Sequence, residues 1–226
     1  MSKADLLFKQ QVKDILDNGY HDREYEVRPT WTDGTPAHSK YITHSIITWD
    51  AKDGVPIQTS RKIAWQAGLR EILALYQKHA MTKQDFHDAG VFWWDPWFNE
   101  GNDLGTSYGY QLNKIISFPE GDFNQLDRVI YLLKNKPMDR RIITNMFNME
   151  EMKDMALPPC AFMTMWSVRG EYLDLMLIQR SGDLLPAAGF GGINTVQYYF
   201  LWAMIAQVTG YKMGKMTHFI NNLHIY

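Results

Sequence analysis

The chain of 226 residues holds one cysteine, Cys160, which ends the run Leu157-Pro158-Pro159-Cys160 and lies one hairpin upstream of Gln179-Arg180-Ser181-Gly182-Asp183. A thiol with a guanidinium, a hydroxyl and a carboxylate close by reads as a nucleophile beside an anion site, because a nearby cation favours the reactive thiolate. A lone cysteine is more often a buried structural thiol, so its neighbours must decide. Arg28, Arg140, Arg141 and Arg180 all fall in or beside predicted loops and strand ends. Converging, they would cradle a phosphate through forked hydrogen bonds, with Ser181 adding a hydroxyl donor. Apart, they are four solvated arginines. The cluster Phe92-Trp93-Trp94-Asp95-Pro96-Trp97-Phe98 offers either a wall on which a planar heterocycle could stack or packing beneath a loop. No HExxH or related metal spacing and no Gly-x-Ser-x-Gly elbow is present.

The elements that must position these groups are legible in part. Ala4 to Asn18 has helical apolar spacing and Gly19 as a stop; His21 to His38 reads as a long polar loop; Tyr41 to Trp49 reads as a strand. Lys62 to Lys78 is predicted to be a helix with the stripe Trp65, Leu69, Ile72, Leu73 and Tyr76, and Glu71 lies beside that stripe, a place usual for a rim carboxylate and rarer for an acid or base facing a pocket. Asp122 to Lys134 reads as a helix, Ile142 to Phe147 as a strand and Met149 to Met155 as a short helix. Phe162 to Val168 and Tyr172 to Ile178 flank Arg169-Gly170-Glu171 as a hairpin. That hairpin sets Cys160 and Arg180-Ser181 on the same side of the sheet. Gly189-Phe190-Gly191-Gly192 is a weak nucleotide signal and reads instead as a flexible loop before Asn194 and a helix from about Val196 to Val208.

Composition narrows the class. With 46% hydrophobic and 21% charged residues the chain is globular rather than disordered. A net charge of -2 argues against a generally cationic nucleic-acid binder. One cysteine excludes an internal disulfide framework and suits a reducing compartment. The first residues lack the apolar core of a signal peptide, and the run Tyr198 to Val208 is too short to span a bilayer. A cytoplasmic protein that meets neither membrane nor DNA or RNA is expected, with an α+β fold built on a mixed sheet with covering helices.

The motifs taken together resemble the thymidylate synthase family over nearly the whole chain. They are Trp94-Asp95-Pro96-Trp97, Asp103-Leu104-Gly105, Tyr108-Gly109, Asp139-Arg140-Arg141-Ile142-Ile143, Leu157-Pro158-Pro159-Cys160, Gln179-Arg180-Ser181-Gly182-Asp183, Asn194 with Tyr198 and Ala206-Gln207-Val208, and His224-Ile225-Tyr226. The segment Val27-Arg28 to His38 is similar to the bacterial branch with a longer N-terminal loop.

The resemblance implies reductive methylation of deoxyuridylate (dUMP) by 5,10-methylenetetrahydrofolate, with no metal. Cys160 would attack C6 of the uracil ring, and Glu71 and Tyr108 would handle protons. Arg28, Arg180, Ser181 and Gly182 would hold the nucleotide, Asn194 would read uracil, and His224 and Tyr226 would bind the deoxyribose. Asp183 belongs to both the substrate and the folate set; Trp94 and Trp97 would wall the folate. Arg140 and Arg141 would reach the phosphate of a second subunit, in a homodimer packed sheet to sheet.

Departures from the family pattern are a longer stretch between Asp183 and Asn194, Gly182 where cysteine or asparagine is frequent, Ala161 after the nucleophile, and Arg61 in place of a lysine. Residues 1–226 are expected to form one catalytic domain that stops short of the family's closing C-terminal segment. Two alternatives stay open: a dUMP hydroxymethylase, in which water captures the exocyclic methylene, and an inactive nucleotide-binding relative.

Overall fold

Period-2 burial is the feature from which the architecture follows. Along Tyr172–Asp183 the side chains of Leu173, Leu175, Leu177 and Gln179 are buried while Tyr172 and Met176 are exposed. Along Lys212–Ile225 Gly214, Met216, His218 and Ile220 are buried in alternation, and Leu223 and His224 are buried near the end, where the alternation breaks. Such alternation is that of strands with one face on a core. The computed structural model describes residues 1–226. Its strands are β1 (Tyr20–His21), β2 (Lys40–Asp50), β3 (Ile116–Phe118), β4 (Gly121–Phe123), β5 (Ile143–Asn145), β6 (Ala161–Arg169), β7 (Tyr172–Asp183) and β8 (Lys212–Ile225). Its helices are α1 (Lys3–Asn18), α2 (Trp65–Tyr76), α3 (Lys83–Asp88), α4 (Gly109–Asn113), α5 (Gln125–Asn135) and α6 (Asn194–Thr209).

Six strands form one sheet in the order β1-β2-β8-β7-β6-β5, and β3 and β4 pair apart from it. Every pairing in the large sheet is antiparallel except β7 with β8, which is parallel. Mixed sheet and covering helices make the fold α+β, as expected. The longest strand, β8, has no counterpart among the predicted elements. Its alternation is interrupted by polar residues on both faces, so composition hides it.

Helix α6 covers the sheet. It buries Val196, Tyr198, Leu201, Trp202 and Ile205 around most of its circumference, the pattern of a helix enclosed on all sides. Trp202 donates its indole N–H to the Leu173 carbonyl at 2.8 Å, tying helix to sheet. Gly210, at φ 81°, ends the helix in the left-handed conformation that favours glycine.

Several expectations shift. Helix α2 starts at Trp65, and its buried residues include Gly68, Glu71, Ile72 and Leu75, while Trp65 is exposed. The predicted stripe is therefore rotated. Gly68 explains why: a Cβ there would stand 3.0 Å from Cγ of Gln197 on α6, so the small residue sets the face of closest approach. Glu71 thus points inward and is no rim residue. Helix α5 starts at Gln125 because the Asn124 side chain caps it, accepting from the Asp127 N–H at 2.9 Å. The strand expected over Ile142 to Phe147 contracts to β5, and Met149 to Met155 keeps only a 3-10 turn at Met152–Asp154. The segment 184–193 is packed rather than flexible. Leu184, Ala188, Phe190, Gly191 and Gly192 are buried, Arg61 donates to the carbonyls of Leu185 (2.5 Å) and Gly191 (2.8 Å), and Gln11 accepts from the Phe190 N–H at 3.0 Å.

Candidate active site

Cys160 sits where the chain enters β6, next to the end of β7. Pairing of these strands brings the Arg180 N–H to the Cys160 carbonyl at 2.9 Å. The Arg180 guanidinium then turns back over the proline run, donating to Pro159 O (2.9 Å), Pro158 O (2.8 Å) and the Cys160 Sγ (3.4 Å). Thiol and guanidinium share a site, as the hairpin predicted. The charge balance differs from expectation. Burial pushes the Cys160 thiol up, and the charges of Arg180 and Arg28 offset only part of this. Desolvation outweighs the two cations, so the thiol of the unliganded site lies above its ordinary range rather than below it.

The thiol opens on a cavity of about 580 Å³ whose wall also holds Glu71, Tyr108, Asn194, Trp94 and Trp97 and is mostly apolar. Trp94 is buried and Trp97 is exposed at the rim, so the aromatic cluster divides between wall and packing. Tyr108 accepts a hydrogen bond from the Cys160 N–H at 3.1 Å and sets its ring edge-on to Trp94, centroids 5.0 Å apart. Burial, and then the charge of Cys160, keep its hydroxyl far above the usual phenol range. Its φ is 39°, a conformation that non-glycine residues avoid. The next residue, Gly109, lies so close to α2's end that a Cβ would fall 2.2 Å from the Ala80 carbonyl oxygen.

Glu71 is buried, with Oε1 accepting from the Trp94 indole at 2.9 Å and Oε2 from the Gln197 amide at 2.7 Å. Burial raises its pKa to about 7 against these hydrogen bonds. A carboxyl that exchanges its proton near neutrality is suited to general acid–base work. Gln197 in turn accepts from Asn194 Nδ2 at 2.7 Å, and Gln179 donates to Asn194 Oδ1 at 3.1 Å. His218, fully buried, faces Gln179 Oε1 at 2.9 Å, and burial alone lowers its pKa to about 3. Gln197, Gln179 and His218 were not among the predicted site residues. The i, i+3 spacing of Asn194 and Gln197 on one helix face was the available signal; His218 lay in the unrecognised strand.

The remaining predicted residues stand outside the cavity wall. Parallel pairing of β7 with β8 sets Ser181 beside Asn222 and Asp183 beside His224. Burial raises the Asp183 carboxyl and lowers the His224 imidazole, each partly offset by the other's charge. His224 packs edge-on to Tyr226 at 5.1 Å, and Trp31 from the long N-terminal loop does the same at 5.9 Å. Arg28, exposed, acts on both Tyr226 and Cys160 through its charge. Gly182 is buried: a Cβ there would lie 2.3 Å from that of Ala188 and 2.5 Å from Gln179 Nε2. Its glycine is explained by the packed 184–193 segment rather than by ligand contact. Arg140 and Arg141 are exposed, and Arg141 makes a forked ion pair with Asp139 at 2.7 and 3.0 Å. Arg28 and Arg180 both bear on Cys160 through their charge, whereas Arg140 and Arg141 do not.

Comparison with known proteins shows the family. A family model described as thymidylate synthase matches residues 7–226. Thymidylate synthase 1 of Bacillus subtilis (strain 168) is 37% identical over 228 residues, covering 100% of this chain and 80% of that protein. The thymidylate synthase of Bacillus phage phi3T is 36% identical with the same coverage. The solved structure of thermostable thymidylate synthase A from Bacillus subtilis superposes with a TM-score of 0.91 at 38% identity, over 98% of this chain and 79% of that one. Fold and matches define an enzyme, a methyltransferase. More narrowly, the chain belongs to the thymidylate synthase family; the hydroxymethylase alternative is not favoured. No helix is long and apolar enough to cross a membrane.

Proposed function

We propose that the protein converts dUMP to thymidylate with 5,10-methylenetetrahydrofolate as co-substrate, through a covalent bond between Cys160 Sγ and C6 of the uracil ring. The observation that carries this reading is the Cys160 sulfur, 3.4 Å from an Arg180 nitrogen, at the wall of a cavity that also holds Glu71 and Asn194. Adding sulfur to C6 moves the ring's electron pair to C5 and O4, making C5 a carbon nucleophile; expelling the sulfur later restores the ring double bond. Glu71, with its proton held to about pH 7, serves O4. Tyr108, at the cavity wall with its hydroxyl 3.1 Å from the Cys160 N, is assigned to removal of the C5 proton. Asn194 reads the base: an amide can donate to O4 and accept from N3–H, whereas an ionised aspartate could not donate.

The apolar wall formed by Trp94, Trp97, Ile72, Leu157 and Leu185 fits a flat folate ring, and Arg61 and Lys62 place cations beside it for an acidic tail. When bound, the folate supplies the one-carbon unit and the hydride. Arg28, Arg180 and Ser181 are assigned to the phosphate, Gly182 to the nucleotide, His224 and Tyr226 to the deoxyribose, and Asp183 to both the nucleotide and the folate ring.

An apolar sheet face supports a homodimer in which Arg140 and Arg141 serve the partner's phosphate. Met165, Met176, Ile178, Phe219 and Ile46 are register neighbours on that face, with Ile46 65% exposed. Residues 1–226 act as one domain, because a single cluster of 38 buried residues draws on segments from Ala4 to Leu223. A reducing, cytoplasmic setting suits the single free thiol.

A turnover assay tests the reading. Dihydrofolate and thymidylate should appear together; tetrahydrofolate with 5-hydroxymethyl-dUMP would replace it with the hydroxymethylase. Incubation with 5-fluoro-dUMP and methylenetetrahydrofolate should add the mass of both to the chain at Cys160.

A further inference from the structure

Seven side chains, Trp94, Glu71, Gln197, Asn194, Gln179, His218 and Thr195, form one unbroken row of hydrogen bonds beside the cavity, buried except at Asn194, which is half-buried at the wall. The row has a fixed direction. A backbone carbonyl only accepts, and Ser181 O lies 3.0 Å from the Gln179 amide nitrogen, so Gln179 turns its NH2 toward Ser181 and Asn194 and its oxygen toward His218. His218, neutral at any ordinary pH, then carries its proton on Nε2 toward Gln179, and its Nδ1 is left as an acceptor 3.1 Å from the Thr195 hydroxyl, whose single proton is shared between Nδ1 and the Gly189 carbonyl at 2.7 Å. At the other end the Trp94 indole only donates, and both Glu71 oxygens receive donors. Between these ends, Asn194 receives at Oδ1 and gives from Nδ2, and reversing its amide would set like against like at both neighbours.

Resting on the base-reading role given to Asn194 above, we infer that Gln197 and Gln179 are specificity-determining positioning residues: they clamp the Asn194 amide in the one orientation that accepts uracil and rejects cytosine, and Gln197 joins that clamp to Glu71. Asn194 keeps one N–H and one oxygen lone pair free at the cavity wall. This donor–acceptor pair matches the C4 carbonyl and N3–H of uracil, and opposes the amino group and bare N3 of cytosine. An unclamped amide turns over and accepts either base. Gly68 belongs to the same device, since a Cβ there would stand only 3.0 Å from the Gln197 Cγ. The titratable groups acted on by Glu71's charge are Tyr108 and Tyr198, both buried phenols that stay neutral across the range in which Glu71 titrates.

The test measures dissociation constants for dUMP and deoxycytidylate, and the pH profile of turnover, in the wild type, Gln197→Met and Gln179→Met, each first shown by circular dichroism to be folded. Both variants should lose about tenfold of the uracil preference, the size expected from one or two released hydrogen bonds. Gln197→Met, having lost a donor to Glu71, should also move the profile midpoint near pH 7 upward, while Gln179→Met, which does not touch Glu71, should leave it in place. A wild type that prefers dUMP, with the same preference in both folded variants, overturns the inference alone. A wild type that binds neither nucleotide overturns the inference together with the assignment of the pocket.

Discussion

Cys160 and Glu71 carry the two sharpest predictions at the scale of single residues. Cys160→Ser should abolish turnover while dUMP still binds, because the nucleotide's phosphate and base contacts do not use the sulfur; rapid residual turnover in a steady-state assay would remove Cys160 from the mechanism. Glu71 reads out in stability. Its unfolded carboxyl loses its proton near 4.5 and its folded one near 7, so the folded state binds the proton more tightly. The stabilisation is present in full below 4.5 and is lost as pH rises to about 7, a change of about 3 kcal/mol. His218 works in the opposite sense: folded it resists protonation down to about 3, so stability falls as pH drops below 6.5. Melting temperature followed across pH 4.5 to 7 should decline less steeply with rising pH in Glu71→Gln than in the wild type. Motifs made the catalytic candidates legible, since type and order survive in sequence. The thiol's upward shift was not legible, because it follows from how far water is excluded, which no motif records.

Among the elements, the β6–β7 hairpin was read closely at its turn and along β6, while β7 runs five residues beyond the expected Ile178 to Asp183; that reading was enough to bring Cys160 to Arg180. Helix α2 was found with part of its stripe, Ile72 and Tyr76, on the core, but the buried face is shifted to include Gly68 and Glu71 and leaves Trp65 exposed, because a glycine marks its closest approach to α6. The 184–193 segment was misread for a related reason: glycine suggests freedom in sequence, yet here its missing side chains admit close packing. Gly182→Ala tests this. The added methyl meets Ala188 and Gln179, and overpacking should cost about 1–3 kcal/mol in urea unfolding. An unchanged midpoint would show that the segment yields. Arg61→Lys should loosen the same segment, because a single ammonium cannot replace the guanidinium that bridges Leu185 O and Gly191 O.

For the whole molecule, a homodimer with shared phosphate sites predicts complementation. Cys160→Ser and Arg140→Ala chains, each of low activity alone, should recover turnover when mixed and allowed to exchange, because one site of the hybrid then holds a wild-type cysteine and a wild-type arginine. No recovery in a hybrid verified by native mass spectrometry would place Arg140 outside the partner's site. Charge on the sheet face, as in Met176→Lys, should yield monomers in sedimentation.

The strand order has a consequence for how the chain is made. β8 stands in the middle of the sheet yet is translated after every strand it joins, so β2 on one side and β7 on the other wait without a shared neighbour. Until residues 212–225 leave the ribosome, the nascent protein carries two unfinished half-sheets, each offering an open row of backbone donors and acceptors to any passing strand. Its biosynthesis therefore has a vulnerable interval that ends with the arrival of a single late segment, and a chaperone that shields those rows would act on the growing polypeptide before that moment.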